Sequence, residues 1–197
     1  MLKRTFDVSL ATLALLCVWP LFLVVAILIK LDSEGPVFFA QERVGRGFRL
    51  FRIYKFRTMV RDAPRQGSAI TFGRDPRITR IGHVLRQTKM DELPQLLNVL
   101  KGDMSIVGPR PELPRYVESF RRDYDEILKV RPGMTDLASL KFRDEAALLG
   151  TVHDPEETYV KCILPEKVNL GKAYARGSSL RLDLALIVKT LAALRGR

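Results

Sequence analysis

Cysteine and histidine are scarce in this chain, which has only two of each among its 197 residues. Cys17 lies inside an apolar run and Cys162 in a polar, lysine-rich stretch, so we do not expect a disulfide framework. Two reduced thiols indicate an intracellular compartment or its membrane face. His83 and His153 belong to no metal-binding or catalytic pattern, and we expect both to be structural.

Common signatures of nucleotide and metal sites are absent as well. The sequence contains no Walker A motif, no G-x-G-x-x-G fingerprint and no zinc-ligand spacing. It also has no internal repeat and no low-complexity tract. Its length suits one globular domain with an appendage, and such a domain can bury a core without disulfides.

Acidic residues are outnumbered, with 22 Asp and Glu against 33 Lys and Arg, which gives a net charge of +11. Residues 1–35 carry equal numbers of acids and bases, so the whole excess lies in residues 36–197. A body this basic indicates an anionic partner: nucleic acid, an acidic membrane surface or phosphorylated substrates. Charge alone does not choose among the three.

A long run without charge extends from Val8 to Ile29 and covers 22 residues. At about 1.5 Å per residue, such a helix reaches across a hydrocarbon core of roughly 30 Å. The run is longer than the apolar region of a signal peptide, about 7–15 residues, and no A-x-A-like cleavage site follows it before Lys30. We therefore expect residues 1–35 to anchor the chain in a membrane and residues 36–197 to form the folded domain beside it.

Pro20 leaves the topology of this anchor open. A proline in a helix interior breaks or kinks the helix, and each half of the run reaches only about half of the bilayer. Basic residues flank both ends, so the distribution of positive charge does not require the ends to lie on opposite sides. The residues themselves are compatible with a single span and with a helix that bends at Pro20 and returns.

The residue pattern of the remainder of the chain predicts a mainly α fold with a small β-hairpin. Two β-rich runs within residues 37–56 surround a turn at Gly45–Gly47, and helices are expected at 81–88, 93–100, 115–129 and from 153. Residues 61–79, 104–114 and 131–135 are expected to be loops and turns. The last helix carries one apolar stripe, for which a core-facing position is favoured over a membrane-surface position. The stripe consists of Leu180, Leu184, Ile187, Val188, Leu191 and Leu194.

The stretch KMDELPQ (89–95) places two carboxylates, Asp91 and Glu92, in basic surroundings. Pro94 is tolerated only in the first turn of a helix, so the acids lie at a helix start. Acidic first turns are common and indicate little by themselves. Adjacent helical residues do not share a face, so we expect one carboxylate to be a nucleophile and the other a helper.

Phosphate is the ligand that the surrounding cations favour. Arginine binds phosphate in a bidentate manner, and a carboxylate among cations suits Mg²⁺ that is held together with substrate phosphates. Asp91 is the candidate metal ligand. The candidate substrate-binding residues are Lys55, Arg57, Arg80, Arg86, Arg110 and Arg131.

Several segments together resemble the bacterial sugar transferase family. They are KRTFD (3–7), the apolar run with its proline, GPVFFAQERVG (35–45), KFRTM (55–59), DPRITRIG (75–82), DELPQLLNVLKGDMSIVGPRP (91–111) and RPGMT (131–135). The resemblance covers residues 3–135 and is to the monotopic phosphoglycosyl transferases, in their minimal single-domain form. Proteins of this kind start glycoconjugates, including exopolysaccharides, on a polyprenyl phosphate.

This resemblance implies a re-entrant membrane helix kinked at Pro20, with amphipathic interface helices around a compact catalytic domain on the cytosolic face of the bacterial inner membrane. It also implies an Asp91–Glu92 dyad, Mg²⁺, a UDP-sugar donor and polyprenyl (undecaprenyl) phosphate as acceptor. Asp91 would attack the donor, release UMP and carry the phosphosugar; direct attack by the acceptor is the alternative.

A membrane-anchored module that binds nucleic acid or acidic lipid is disfavoured, because the paired acids would repel a polyanion. We therefore expect the lipid bilayer but no nucleic acid as a partner, and the sequence leaves room for a homo-oligomer. Residues 136–145, DLASLKFRDE, depart from the GWAQVNGR-like sequence of many relatives. We expect this segment to influence the choice of sugar.

Overall fold

A single long helix, α1 (Leu2–Asp32), begins the chain and runs without interruption through Pro20. The computed structural model describes residues 2–63, 71–73 and 75–195. Within them α1 is the one helix that is long and apolar enough to cross a membrane by length and composition. The re-entrant topology and the kink at Pro20 remain predictions.

Both ends of α1 form hydrogen bonds with the domain that follows it in the chain. Near its start the buried carboxylate of Asp7 accepts hydrogen bonds from Ser105 Oγ (2.8 Å) and from the backbone N–H of Ile106 (3.2 Å). At its end Asp32 accepts a hydrogen bond from the backbone N–H of Ile81 over 3.0 Å. The outer face between these ends is apolar and exposed. It includes Leu13, Leu16, Trp19, Leu23, Val24 and Ile27.

The predicted hairpin is confirmed. Strand β1 (Phe38–Val44) pairs antiparallel with β2 (Leu50–Phe56), and Phe38 lies opposite Phe56. The connection contains one 3₁₀ turn, in which Gly47 has a φ of +64°, a conformation that glycine adopts at little cost. This pairing carries Lys55, near the end of β2, toward the centre of the molecule.

Ten α-helices, four strands, two 3₁₀ turns and one π-helix (Tyr159–Ile163) occur in the described part of the chain, which is mainly helical as expected. The expected helix over 115–129 is divided in two at Phe120, and β3 and β4 form a short parallel pair where only turns were expected. The elements after the hairpin are α2 (Arg80–Gln87), α3 (Gln95–Lys101), β3 (Ser105–Val107), α4 (Pro114–Ser119), α5 (Arg121–Ile127), β4 (Gly133–Thr135), α6 (Leu137–Lys141), α7 (Glu145–Leu149), α8 (Pro155–Thr158), α9 (Leu164–Gly177) and α10 (Leu180–Arg195). Part of the expected 61–79 loop, residues 64–70 and 74, lies outside the described residues.

Three apolar clusters hold these elements together. One joins the end of β1 to α4, α5 and α9, and a second joins the first half of α1 to β2, α3, β3 and α10. The third packs Val25 and Ile29 of α1 against Phe56 and against Leu85 of α2. Residues from both halves of α1 are thus part of the core around the hairpin and α3.

The core-facing assignment of the apolar stripe on α10 is wrong for three of its six residues; Ile187 does pack against the second cluster, and the side chain of Leu194 lies outside the described residues. Leu184, Val188 and Leu191 are more than half exposed, whereas Leu186 and Asp183 are buried. Asp183 occupies the inner face because Lys3 and Tyr174 both donate hydrogen bonds to its carboxylate. A charge satisfied in this way can replace an apolar residue in a core.

Candidate active site

Asp91 and Glu92 lie in a single 3₁₀ turn (Met90–Glu92) between α2 and α3. Lys89, just before the turn, has a φ of +58°, which is uncommon for a residue other than glycine. Pro94 then caps α3, so the helix begins two residues after the predicted start at Leu93. The chain changes direction at Lys89 and then turns again. The side chains of the two adjacent carboxylates therefore lie in different surroundings.

Asp91 is buried, with 7% of its surface exposed. Its Oδ1 atom receives no hydrogen bond from the part of the chain that the structure describes. Burial raises the pKa of Asp91 above its ordinary value, and the neighbouring charge of Glu92 adds to this effect. Lys55, Arg86 and Lys89 act in the opposite direction but do not reverse it. Asp91 is therefore a poorly solvated carboxylate.

Glu92 has the opposite environment. Its Oε1 atom accepts hydrogen bonds from Lys55 Nζ over 2.7 Å and from Arg110 Nη2 over 3.1 Å. Burial disfavours the charged carboxylate, but Lys55 and Arg110 outweigh this effect and hold the pKa of Glu92 far below its ordinary value. The attraction of Glu92 in turn raises the pKa of Arg110. Glu92 is therefore ionised and fixes two of the predicted phosphate-binding cations beside Asp91.

Arg86 reaches the dyad from α2. Its Nε donates a hydrogen bond to the hydroxyl of Thr58, which is buried, over 2.8 Å. Burial lowers the pKa of Arg86, and a nearby buried ion pair, Asp75 and Arg77 with a separation of 2.6 Å, has two opposed effects on it: Asp75 raises this pKa and Arg77 lowers it. Thr58, Asp75 and Lys89 were not among the predicted site residues. Thr58 and Asp75 lie within the KFRTM and DPRITRIG motifs, and these motifs are the sequence feature that could have identified them as site residues.

Three of the predicted substrate-binding residues are not brought to the dyad by these contacts. Arg57 donates to the backbone carbonyls of Ser33 and Glu34 and so closes the end of α1. Arg131 donates to the carbonyl of Gly102, after α3, over 2.9 Å. Arg80 is exposed in the first turn of α2. A role for these three arginines in substrate binding remains a prediction.

A metal ion would find few protein ligands here. No group of three or more His, Cys, Asp or Glu side chains with metal-binding geometry occurs among the described residues. The Oδ1 atom of Asp91 is a buried oxygen without a partner there, whereas the Oε1 atom of Glu92 is already engaged by two cations. This arrangement fits an ion such as Mg²⁺, which uses one or two carboxylates and completes its shell with phosphates and water.

Comparison with known proteins shows the family of the chain. The family model for bacterial sugar transferases matches residues 1–197, the whole chain. The chain belongs to the bacterial sugar transferase family. The motifs that resembled this family are those that supply Lys55, Asp91, Glu92 and Arg110.

Among the relatives of this family member, the UDP-N-acetylgalactosamine-undecaprenyl-phosphate N-acetylgalactosaminephosphotransferase of Aeromonas hydrophila is 40% identical over 96% of the chain. The UDP-glucose:undecaprenyl-phosphate glucose-1-phosphate transferase of Escherichia coli is 42% identical over 97% of it. The chain spans 43% and 39% of the lengths of these two proteins. The exopolysaccharide production protein PSS of Rhizobium leguminosarum is 48% identical over 71% of the chain, which covers 74% of PSS.

A cavity of about 270 Å³ opens beside the dyad of this family member. Its lining includes Lys89, Glu92 and Arg110 together with residues of α6, α7, α9 and α10. Asp136 links Arg110 to α6: its carboxylate accepts hydrogen bonds from the backbone N–H of Arg110 (3.1 Å) and of Ser139 in α6 (2.7 Å). Sequence reasoning missed Asp136, whose detectable signal was its position as a helix cap.

Proposed function

We propose that this protein transfers a sugar 1-phosphate from a UDP-sugar to polyprenyl phosphate, with Asp91 as the nucleophile. The observation that carries the proposal is the buried Oδ1 atom of Asp91, which lacks a partner among the described residues and lies beside a Lys55–Glu92–Arg110 cluster. A carboxylate with little solvation and no hydrogen bonds keeps its electron pairs available for attack. The names of the Aeromonas and Escherichia relatives describe the same class of transfer to undecaprenyl phosphate.

The first chemical step forms a bond between an Asp91 oxygen and the sugar-bearing phosphorus. The bond from that phosphorus to the bridging oxygen breaks, and UMP leaves with the electron pair. In the second step an oxygen of polyprenyl phosphate attacks the same phosphorus, and the bond to Asp91 breaks. The carboxylate is thereby regenerated, and polyprenyl diphosphate sugar is the product.

The cations offset the repulsion between a carboxylate and a diphosphate, which is the main electrostatic obstacle to the first step. Arg110 and Lys55 are held by Glu92, and Arg86 is held by Thr58. Mg²⁺, when bound with Asp91, would supply further neutralisation and polarise the attacked phosphoryl group. Because the low pKa of Glu92 makes it a weak base, we assign it the positioning of Lys55 and Arg110 and not proton transfer.

The contacts of α1 indicate where polyprenyl phosphate, the acceptor, would bind. Both ends of this helix contact one body, whereas the ends of a straight span emerge on opposite sides of a bilayer. This supports a re-entrant helix that enters and leaves on the cytosolic face of the inner membrane. The exposed Leu184, Val188 and Leu191 of α10 add a second apolar surface, which suits an interface helix. Polyprenyl phosphate would then present its phosphate at the level of the dyad.

The proposal is tested with a UDP-sugar that is radiolabelled in the sugar-side phosphate, in the absence of acceptor. We expect the label to become attached to Asp91 in the wild type and in Asp125→Asn, an exposed control, but not in Asp91→Asn. Release of UMP should require Asp91 as well. Parallel double-reciprocal plots are expected for donor and acceptor, whereas intersecting plots together with an unlabelled protein would favour direct attack by the acceptor. Wild-type turnover by Asp91→Asn would contradict covalent catalysis at this residue.

A further inference from the structure

The cavity beside the dyad contains polar groups that the proposed chemistry does not use. Ser139 Oγ is buried in its wall and receives no hydrogen bond from the described chain. Lys167, which is nearly buried, forms an ion pair with Glu145 across 2.5 Å, and both residues line the same space. Thr135 and Thr190 share a hydrogen bond of 2.6 Å at another side of the cavity. A buried hydroxyl without a partner is costly unless a ligand or water completes it.

From these groups we infer that the cavity between Arg110 and helices α6 and α7 is the subsite for the sugar ring of the donor, and that its wall selects the sugar. This inference rests on the proposed function. Sugar hydroxyls both donate and accept hydrogen bonds, and the lining of the cavity offers a cation, a carboxylate and hydroxyl groups together with apolar residues that include Met134 and Leu140.

The order of groups along a UDP-sugar favours the sugar over the uridine. Glu92 and Arg110 line the cavity, and Glu92 is the chain neighbour of Asp91, the carboxylate that would attack phosphorus. The sugar is attached to that phosphorus through one oxygen, whereas uridine follows only after a second phosphate. A volume of about 270 Å³ is also smaller than the roughly 300–1,000 Å³ of pockets for drug-sized ligands, so it suits one part of the donor.

Asp136 couples the position of the cavity wall to the position of Arg110 beside the dyad. One of its oxygens holds the backbone of Arg110, and the other caps α6 at Ser139. The same carboxylate therefore positions both Arg110, a proposed phosphate-binding cation, and the part of α6 that would face the sugar. We regard Asp136 as a positioning residue that keeps the sugar wall in register with the phosphate site.

Two matched pairs of variants test the subsite from two of the helices that line it. Ala146 in α7 and Ala193 in α10 line the cavity, whereas the neighbouring Ala147 and Ala192 are exposed and do not line it. Ala146→Leu and Ala193→Leu add an isopropyl group to the cavity, and Ala147→Leu and Ala192→Leu add the same group outside it. Ser139→Ala removes only the unpartnered hydroxyl. Thermal unfolding identifies any variant whose fold is changed.

The measurements are kcat/KM for a panel of UDP-sugars, by release of UMP, and the inhibition constant of UDP, which lacks a sugar. We expect the two cavity variants to lower kcat/KM for the preferred donor at least tenfold and to change the ranking of donors. Ser139→Ala should lower it about threefold to tenfold. Inhibition by UDP should change less than twofold, and the two control variants should match the wild type.

Two outcomes overturn the subsite. Equal losses in UDP inhibition and in sugar-donor turnover would assign the cavity to uridine. Cavity variants that fold and keep the wild-type ranking and rates, while the wild type releases UMP in an Asp91-dependent manner, would show that the cavity does not select the sugar although the proposed function stands. If the wild type releases no UMP from any UDP-sugar, the proposed function is contradicted. The sugar subsite, which depends on that function, is then contradicted as well.

Discussion

Glu92 accepts a hydrogen bond from Arg110 over 3.1 Å, through the oxygen that also accepts one from Lys55. These two cations come from β2 and from the loop after β3, and both contact this carboxylate. Because the negative charge of Glu92 also raises the pKa of Asp91, one residue influences both the proposed phosphate-binding cations and the proposed nucleophile.

Replacement of Glu92 with Gln should have two separable effects. Loss of charge-assisted hydrogen bonds, worth about 1.5–3 kcal/mol, should raise KM for the UDP-sugar roughly tenfold to a hundredfold because Lys55 and Arg110 lose their anchor. The acid limb of the pH–rate profile should move to lower pH, because the charge that raises the pKa of Asp91 is gone. Steady-state kinetics between pH 4 and 9 measures both.

Glu118→Gln is the matched control, since Glu118 is an exposed residue paired with Arg121 on the surface. Its kinetics should equal those of the wild type. If Glu92 instead transferred a proton, Glu92→Gln would remove one limb of the pH profile without moving the other. That result would contradict the positioning role.

Asp91→Asn should stabilise the folded protein at neutral pH. Burial raises the pKa of Asp91 above 3.8, so the folded chain retains a proton in a pH range where the unfolded chain has lost it. In that range wild-type stability falls as the pH rises. The variant avoids this loss, and we expect a gain of about 1 kcal/mol, or roughly 2–4 °C in the melting temperature.

The gain should shrink as the pH falls toward 3.8, the ordinary pKa. Thermal unfolding in detergent at several pH values measures it, with Asp125→Asn on the surface of α5 as the control that should show no such change. A variant less stable than the wild type at neutral pH would indicate that Asp91 makes favourable contacts as a charged group.

Gly82→Ala should disrupt the site through packing. A Cβ atom at Gly82 would lie 2.1 Å from the backbone oxygen of Thr58, so α2 would have to move away. Arg86 lies one turn further along α2 and would lose its 2.8 Å hydrogen bond to Thr58. We expect at least a tenfold loss of transfer activity and a lower melting temperature.

Gly177→Ala provides the comparison, because a Cβ atom there meets no atom of the described chain within 4 Å. This variant should fold and turn over like the wild type. An active, equally stable Gly82→Ala protein would mean that the approach of α2 to Thr58 is not needed for the site.

The two ends of α1 should be accessible from the same side of the membrane. Leu2→Cys and Glu34→Cys place thiols at exposed positions at or near each end of the helix, in a background of Cys17→Ser and Cys162→Ser. A membrane-impermeant maleimide should label both in vesicles with the cytosolic face outward and neither in vesicles of opposite orientation. Cys162 in a Cys17→Ser protein marks the side of the catalytic domain, because this residue is exposed. Labelling of the two ends from opposite sides would demonstrate a span.

The sequence predicted several local features correctly because they depend on short-range physics. The hairpin follows from two β-rich runs about a glycine-containing turn, and helices follow residue 153 as expected. The dyad lies in the 3₁₀ turn just before α3, which begins at Gln95 directly after Pro94. The whole-chain family match confirms the resemblance carried by these motifs.

The sequence by itself determined the apolar helix, the basic balance and the adjacent acids, since each is a property of neighbouring residues. Only the tertiary structure decided which cations meet Glu92: Lys55 reaches it from β2, whereas β2 ends at Phe56 and Arg57 turns toward α1. It also decided that Asp183, satisfied by Lys3 and Tyr174, faces the core while Leu184 faces outward. Periodicity could not reveal either result, because both depend on partners distant in the chain.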